Sequence, residues 1–455
     1  MGIDDLPPEL LQVIFLDCNN TINPYPTRST DTPLNLSRTC KRWRDVAFDI
    51  PSLWATIKVT ANHAGSRPPV EVVETWMRLS GAYPLSLCLV CQRRPETTAS
   101  DSDSSDRGVS QVLEVFLRNM YRWRTISFDF SQHAPPIEYP TSLTVQGAPQ
   151  LERLEILPFS WSHLLGELAV PWLSAAVSSA PLLHSLTSHL GKFPRAFFTD
   201  IPWGQLTLLR LETRLSEFAC LFILQSAPRL FECHLLDVRH EFLEAIPTFD
   251  PLLPVVLADL NMLSVASQVG LERLFRVLVT PELQTVEIAT RSTLMRWDHT
   301  QFMAFLRRSS CSITSLTLRD LFVSRLAASE LHALLTHVSH SLTNLAITSD
   351  VPGTPVGIQN TLFSQLSYRT ADPVLCPQLE QLVLQVGAST TDGALASMLE
   401  SRLAGHAQAP ARIGALKYVD VVCTTSTHWA DMRRVDALLG RGLAGQIRML
   451  NEVAR

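Results

Sequence analysis

The sequence predicts an α/β fold in which a short helical module leads into a long solenoid of parallel strands and helices. Three observations predict it. The pattern L-x-x-L-x-L, with aliphatic substitutions, recurs ten times, starting at Leu151, Leu183, Leu206, Leu230, Leu260, Leu283, Ile313, Leu342, Leu379 and Leu416. Five of these units (APQL, APLL, APRL, TPEL, CPQL) carry a proline two residues before the first position, where 29 prolines in 455 residues would supply about 0.6 by chance. The intervening stretches, such as EFACLFILQSAPRL, TQFMAFLRRSSCS and ASELHALLTHVSHS, space their apolar residues as helices do. Helix, proline or polar turn, and short strand, repeated and stacked, make a solenoid.

A chain of 455 residues exceeds one compact core and is expected to hold several domains or a repeat array. Its composition, 46% hydrophobic and 18% charged, is that of a globular protein. A net charge of -5 and a pI near 6.2 speak against a protein that neutralises phosphates, so no nucleic-acid partner is expected. The longest run without Asp, Glu, Lys or Arg, Leu168 to Gly191, contains Pro171, Pro181, His184 and His189 and reads as buried core, so no membrane partner is expected either. The start, MGIDDLPPEL, is acidic and predicts no secretory leader, and Leu6 stands where a myristoylation motif wants Ser or Thr. Nine cysteines, scattered apart from Cys88 and Cys91, are the usage of a reduced intracellular protein, cytoplasmic or nuclear. Those two lie in the alternating run PLSLCLVC, which sends positions three apart to opposite faces, and no second ligand pair stands at a suitable spacing. No metal site is expected.

The first sixty residues are the helical module. In LPPELLQVIFLDC, prolines open a helix, Glu9 favours its dipole, and Leu6, Leu10 and Ile14 alternate with Leu11 and Phe15, making it apolar on more than one side. After the polar stretch NNTINPYPTRSTDTP, the spacing of Leu36, Cys40, Trp43 and Ala47 predicts a second helix, with Arg38, Lys41, Arg42 and Arg44 mainly between its apolar positions. Asp49 and Pro51 end it, and WATIKV reads as a strand entry beginning at Trp54.

The combination LPPELLQVIF, LSRTCKRWRDVA and PSLW closely resembles the F-box, especially the version common in fungal proteins with long leucine-rich C-terminal regions. The resemblance covers about residues 4 to 59. It implies a three-helix F-box that binds a Skp-type linker protein, which joins it to a cullin-RING ubiquitin ligase. Carried over by motif, Leu6, Pro7, Leu10, Ile14, Cys40, Trp43 and Trp54 would form or support the linker interface. The segment from Asn19 to Pro33 is longer than the usual connection.

The array resembles leucine-rich repeats in strand core and spacing, but Arg214, Leu321, Asp350 and Gly387 stand where those repeats place Asn or Cys after the strand. An irregular arc is expected. The organisation read from the sequence is an F-box over 1–55, an irregular solenoid over 56–426 and a helical C-terminal cap over 427–455. Residues 93 to 107, RRPETTASDSDSSDR, read as a disordered loop with Ser102, Ser104 and Ser105 set among acids.

Residues between the repeat leucines point away from the core. Arg153, Glu155, Arg210, Glu212, Glu232, His234, Glu287, Arg319 and Tyr418 are therefore candidates for binding a protein substrate. No Walker loop, GxSxG, HExxH or dinucleotide turn stands in a credible context, so no catalytic residue and no cofactor is expected. The reading is a non-catalytic substrate adaptor of an SCF-type ubiquitin ligase. The alternatives are a leucine-rich scaffold whose F-box-like start is only a cap and, less favoured, a hydrolase hidden in the array.

Overall fold

The computed structural model describes residues 6–19, 32–62, 65–92, 107–130, 147–157, 171–189, 195–240, 249–291, 297–321, 326–349, 358, 360–369, 373–386, 390–409, 412–423, 428–440 and 443–449. These pack as two compact units, one ending at Arg214 and one beginning at Leu215.

In the first unit, helices α1 (Pro8–Asn19), α2 (Thr32–Thr39) and α3 (Lys41–Phe48) and a 3-10 turn (Pro51–Trp54) precede the strands. Then come β1 (Thr56–Asn62), β2 (Gly65–Arg67), α4 (Val70–Leu79), β3 (Leu85–Cys91), α5 (Arg107–Arg118), β4 (Trp123–Asp129), β5 (Arg153–Leu157), α6 (Pro171–Ser178), β6 (Ser185–Ser188), α7 (Arg195–Asp200) and β7 (Leu208–Leu211). The sheet order is β2-β1-β3-β4-β5-β6-β7, parallel except for the β1–β2 pair.

The second unit runs β8 (Leu215–Ser216), α8 (Glu217–Ser226), β9 (Glu232–Arg239), β10 (Val255–Val256), β11 (Met262–Ser267), α9 (Glu272–Val277), β12 (Leu278–Val279), β13 (Thr285–Thr290), α10 (His299–Ser309) and β14 (Ser315–Arg319). It continues with α11 (Ala328–Val338), β15 (Asn344–Thr348), α12 (Asn360–Leu366), β16 (Gln381–Val386), α13 (Ala394–Gln408), β17 (Tyr418–Cys423), α14 (Trp429–Leu439) and β18 (Ala444–Met449). Its main sheet, β9-β11-β13-β14-β15-β16-β17-β18, is parallel throughout. Parallel strands alternating with helices are the solenoid-like α/β arrangement that the spacing predicts.

All ten repeat positions lie two residues before a strand and all ten are buried. The turn that delivers them is local. In every proline-bearing unit the amide of the repeat leucine donates to the residue before the proline: Leu151 to Ala148 (3.1 Å), Leu183 to Ala180 (3.2 Å), Leu230 to Ala227 (3.4 Å), Leu283 to Thr280 (3.3 Å) and Leu379 to Cys376 (3.2 Å). That is a four-residue turn with proline second, where its fixed φ is preorganised. Leu206 and Leu260 make the same bond, to Trp203 (3.1 Å) and Leu257 (3.4 Å), without it.

Three expectations need correction. The helix read across Leu36 to Ala47 is two helices: Cys40 is extended (φ -155, ψ 173) and its Sγ accepts from Trp43 N at 3.4 Å, capping α3. Trp54 ends a 3-10 turn and the strand starts at Thr56. In the C-terminal segment, α14 is helical as expected, but β18 is a strand added to β17, with Gly445 at φ 135 lying so near Val419 that a Cβ would overlap its carbonyl oxygen. The open edge of β17 overrides the helical spacing of Leu443 and Ile447. Residues 93–106, most of the expected disordered loop, residues 20–31 of the long connection, and residues 450–455 of the expected cap lie outside the described residues.

The polar row missing from the expected place is found one residue earlier. The seventh residue after the repeat leucine is Thr213, Asp237, Ser267, Thr290, Asp320 or Ser349 in six successive units, and all but Ser349 are buried. Thr290 Oγ1 donates to the Asp320 carbonyl at 2.7 Å, Ser349 Oγ donates to the Asp320 carboxylate, and Ser349 N donates to Gln385 Oε1 at 2.7 Å. Asp320 sits at φ 58, a conformation Asp tolerates better than most residues.

Helix ends are closed by arginines. Arg122 donates to the carbonyls of Met77 (3.2 Å) and Tyr83 (3.0 Å) and to Ser80 Oγ (2.6 Å) beyond α4. Arg308 on α10 donates to Leu278 O (2.8 Å) beyond α9. Arg402 on α13, fully buried, donates to Leu366 O at the end of α12 (2.9 Å) and to Cys376 O (2.7 Å) in the following turn. Burial lowers its pKa to about 10, so it stays charged at neutral pH, held by carbonyl dipoles in place of a carboxylate.

At the last repeats the capping is reciprocal. Asp392, just before α13, accepts from Ala430 N (2.9 Å) and Asp431 N (3.0 Å) of α14, while Asp431 accepts from Ala396 N of α13 at 2.8 Å.

Two outcomes follow. Arg402→Met keeps bulk but orphans at least two buried carbonyls, which costs about 3 kcal/mol and lowers the urea midpoint; an unchanged midpoint would contradict the clamp. The amide donors, Ala430 N first, hold the Asp392 carboxyl below its ordinary range. Its contribution is therefore present above about pH 4 and is lost as pH falls through the depressed value. Thermal melts from about pH 6 to about pH 3 should show Asp392→Asn less stable at the upper end and losing less on acidification than the parent.

Candidate functional site

The α1 helix is wedged by one face and bare on the other. Pro7 O accepts from Leu10 N (3.1 Å) and Leu11 N (3.2 Å), starting the helix at Pro8. Leu11 and Phe15 turn inward and are fully buried, Phe15 with its ring centroid 5.0 Å from that of Trp43. The opposite side presents Leu10, Val13, Ile14 and Leu16, which are 50%, 59%, 37% and 40% exposed. Large apolar side chains at i, i+3, i+4 and i+6 form a partly exposed apolar ridge. Phe48, 43% exposed, closes α3 edge-on to Trp54, with ring centroids 5.5 Å apart.

Of the seven residues carried over by motif, Pro7, Leu10 and Ile14 are exposed, and Leu6, Cys40 and Trp43 are half-buried. Trp54, 1% exposed, is core: its indole Nε1 donates to Ala47 O at 2.8 Å and its ring meets Trp76 of α4 at 5.7 Å. It can support a docking face but not belong to one. Val13, Leu16 and Phe48 were missed, although Val13 stands three residues from Leu10, a spacing that puts both on one side. The basic residues are divided. Arg38 and Lys41 are solvated, while Arg42 donates to Leu6 O and Arg44 Nε to Ser37 O (2.9 Å), tying the three helices together.

The strand surfaces carry the other candidates. In the first unit Arg153 and Glu155 share the outward face of β5, and Arg210 on β7 is followed by Glu212 just past the strand's end, each arginine two residues from an acid. Glu155 accepts from Ser127 Oγ at 3.0 Å, and Glu212 lies 2.8 Å from His189 Nδ1. In the second unit Glu232 is 2.6 Å from the buried His234, and Glu287 accepts from Ser264 Oγ at 2.9 Å. Arg319 is exposed and Tyr418 half-buried. Glu232 and Tyr418 fall in one register row, but six strand steps at about 4.8 Å separate them by roughly 29 Å. The charged candidates thus do not converge, and most acids among them are already engaged.

Two further clusters bear on chemistry. Cys88 and Cys91 face opposite sides of β3, half-buried and buried; burial raises the Cys88 thiol above its ordinary range. Asp392, His428 and Asp431 bring three possible metal-ligand atoms within 4.8 Å of one another. Their atoms are already in use: both carboxylates cap helices, and His428 lies 3.1 Å from Asp431 and 3.4 Å from Thr390 Oγ1. Among the described residues no helix is long and apolar enough to cross a membrane.

Residues 3–60 match the F-box-like family. No curated protein matches the chain in a sequence search. F-box domains in general bind Skp-type linkers of cullin-RING ligases and belong to non-catalytic adaptors. The exposed ridge of α1, backed by the Phe15–Trp43 contact, therefore lies within an F-box-like domain, which supports a general adaptor role in SCF-type ubiquitin ligases.

Proposed function

We propose that this chain is the substrate-recognition adaptor of an SCF-type cullin-RING ubiquitin ligase. Its F-box holds the Skp-type linker, and the strand array, an irregular leucine-rich-repeat solenoid of the kind found beside fungal F-boxes, holds a target protein. The observation that carries this reading is the α1 ridge of Leu10, Val13, Ile14 and Leu16, left open by a helix whose other side is fully buried. Pro7, Leu10 and Ile14 meet the linker at that ridge, with Leu6 at its start, while Cys40, Trp43 and Trp54 hold the helices beneath it. The adaptor does no chemistry on its substrate: tethering raises the effective concentration of the target beside the ubiquitin-charged enzyme. The working compartment is the cytoplasm, the nucleus or both.

A pull-down of a purified Skp-type linker with the full chain tests the proposal. Ile14→Asp or Leu10→Asp buries a charge in the docked state and should weaken capture by about 30-fold or more. Trp54→Ala is expected to cost about 3–5 kcal/mol of stability and to lose capture through unfolding, which circular dichroism separates from a docking defect. A folded chain that fails to bind the linker, or an Ile14→Asp variant that binds as well as the parent, leaves the scaffold reading in its place.

A further inference from the structure

On the outward face of the second unit one row differs from the charged pairs around it. Thr285, Ser315, Asn344, Gln381 and Tyr418 stand side by side in register on β13, β14, β15, β16 and β17. All five are uncharged. Gln381 is exposed and the other four are half-buried, while the residues alternating with them are buried. Among the described residues their side chains form no hydrogen bond, in contrast to Glu232, His234, Ser264 and Glu287 on the same sheet. Two positions further along the strands, Thr317, Ala346 and Val383 continue the uncharged surface between Glu287 on one side and Asp420 on the other. Beside it, Glu380 and Lys417 neutralise each other at 2.6 Å.

We infer that this window is the recognition surface for an extended, uncharged, hydrogen-bonding segment of the target protein, an assignment that rests on the adaptor reading above. The five-strand row spans four steps of about 4.8 Å, roughly 19 Å, the length of an extended segment of about six residues. Amide and hydroxyl side chains with open donors and acceptors satisfy a peptide backbone and neutral polar side chains without an ion pair. A charged residue docked over the centre of the row, on Ser315, Asn344 and Gln381, loses hydration and meets no counter-ion in that row, a penalty that disfavours it. Arg319, two positions beyond Thr317 on β14, marks the edge of the window.

The test is selection from a displayed library of random peptides on the full chain, followed by affinity measurement of the enriched peptides. Enriched peptides should be poor in Asp, Glu, Lys and Arg over about six consecutive residues. The Asn344→Ala/Gln381→Ala double variant should bind them about tenfold more weakly, as loss of two or more hydrogen bonds implies. Because Gln381 is exposed, Gln381→Glu alone should weaken binding with no change in the melting curve. Enrichment of charge-rich peptides, no enrichment, or affinities indifferent to both variants overturns the inference. Linker capture by the same preparations separates the two proposals: peptide selection through the window in a chain that ignores the linker sinks the ligase reading and leaves the window standing.

Discussion

The turn that drops each repeat leucine into the core is the constraint on which the strands depend. In seven of the ten units one hydrogen bond, from the leucine amide to the carbonyl three residues back, ends the preceding helix or loop and precedes the strand by two residues; the Leu342 amide instead reaches Val338, four residues back. The strand begins two residues after the leucine with an outward residue, so alternation from there sends the third and fifth positions to the core and the second and fourth out. Proline contributes by narrowing the unfolded ensemble toward the turn, which is why it recurs at the second turn position and at no other fixed point of the unit. Where the turn recurs, each strand starts at the same distance from its leucine, and neighbouring strands pair in step.

A parallel stack built this way leaves two sets of backbone groups in need of partners, at the strand ends and at the helix ends. The seventh-position residues serve the first, passing bonds from Thr290 to Asp320 and from Ser349 to both Asp320 and Gln385. Arginines serve the second. Arg402 spends a whole buried charge on carbonyls, tolerable because several dipoles converge on one guanidinium and costly to remove because they would then face nothing. The reciprocal caps of Asp392 and Asp431 solve the same problem at the amino ends of α13 and α14. Polar side chains in this fold are thus largely committed to closing backbone, which explains why a cluster with metal-like residue types is a pair of helix caps.

The strands were legible in the sequence because their determinant is local: a leucine, a turn and a period of two. The helix break at Cys40 was not, since a cysteine inside an apolar spacing of four and three looks like core, and only its extended backbone and sulfur acceptor make it a cap. Nor was β18, whose conformation is imposed by the free edge of β17 on residues that alone space like a helix. The site candidates fared unevenly for the same reason. Which residues point outward follows from alternation, but whether an outward acid is free depends on a neighbour some 20 to 30 residues away, as Ser127 is for Glu155 and Ser264 for Glu287. Charge marks residues the fold has already paired, and of the unengaged neutral row only Tyr418 stands among the candidates named from the sequence.

The same reasoning bears on what the N-terminal helices are for. A cap on the first strands needs Trp54 against Trp76 and the buried side of α1 through Leu11 and Phe15, and both are present. Nothing in capping requires the far side of α1 to be apolar; four large side chains, each more than a third exposed, lower solubility and leave much of their surface unpacked. Replacing them with Lys or Glu would leave the cap intact. Their presence is costly in a pure cap and useful where a partner covers them. The division of α1 into a buried side facing its own unit and an exposed apolar side is what favours an adaptor over a self-contained scaffold.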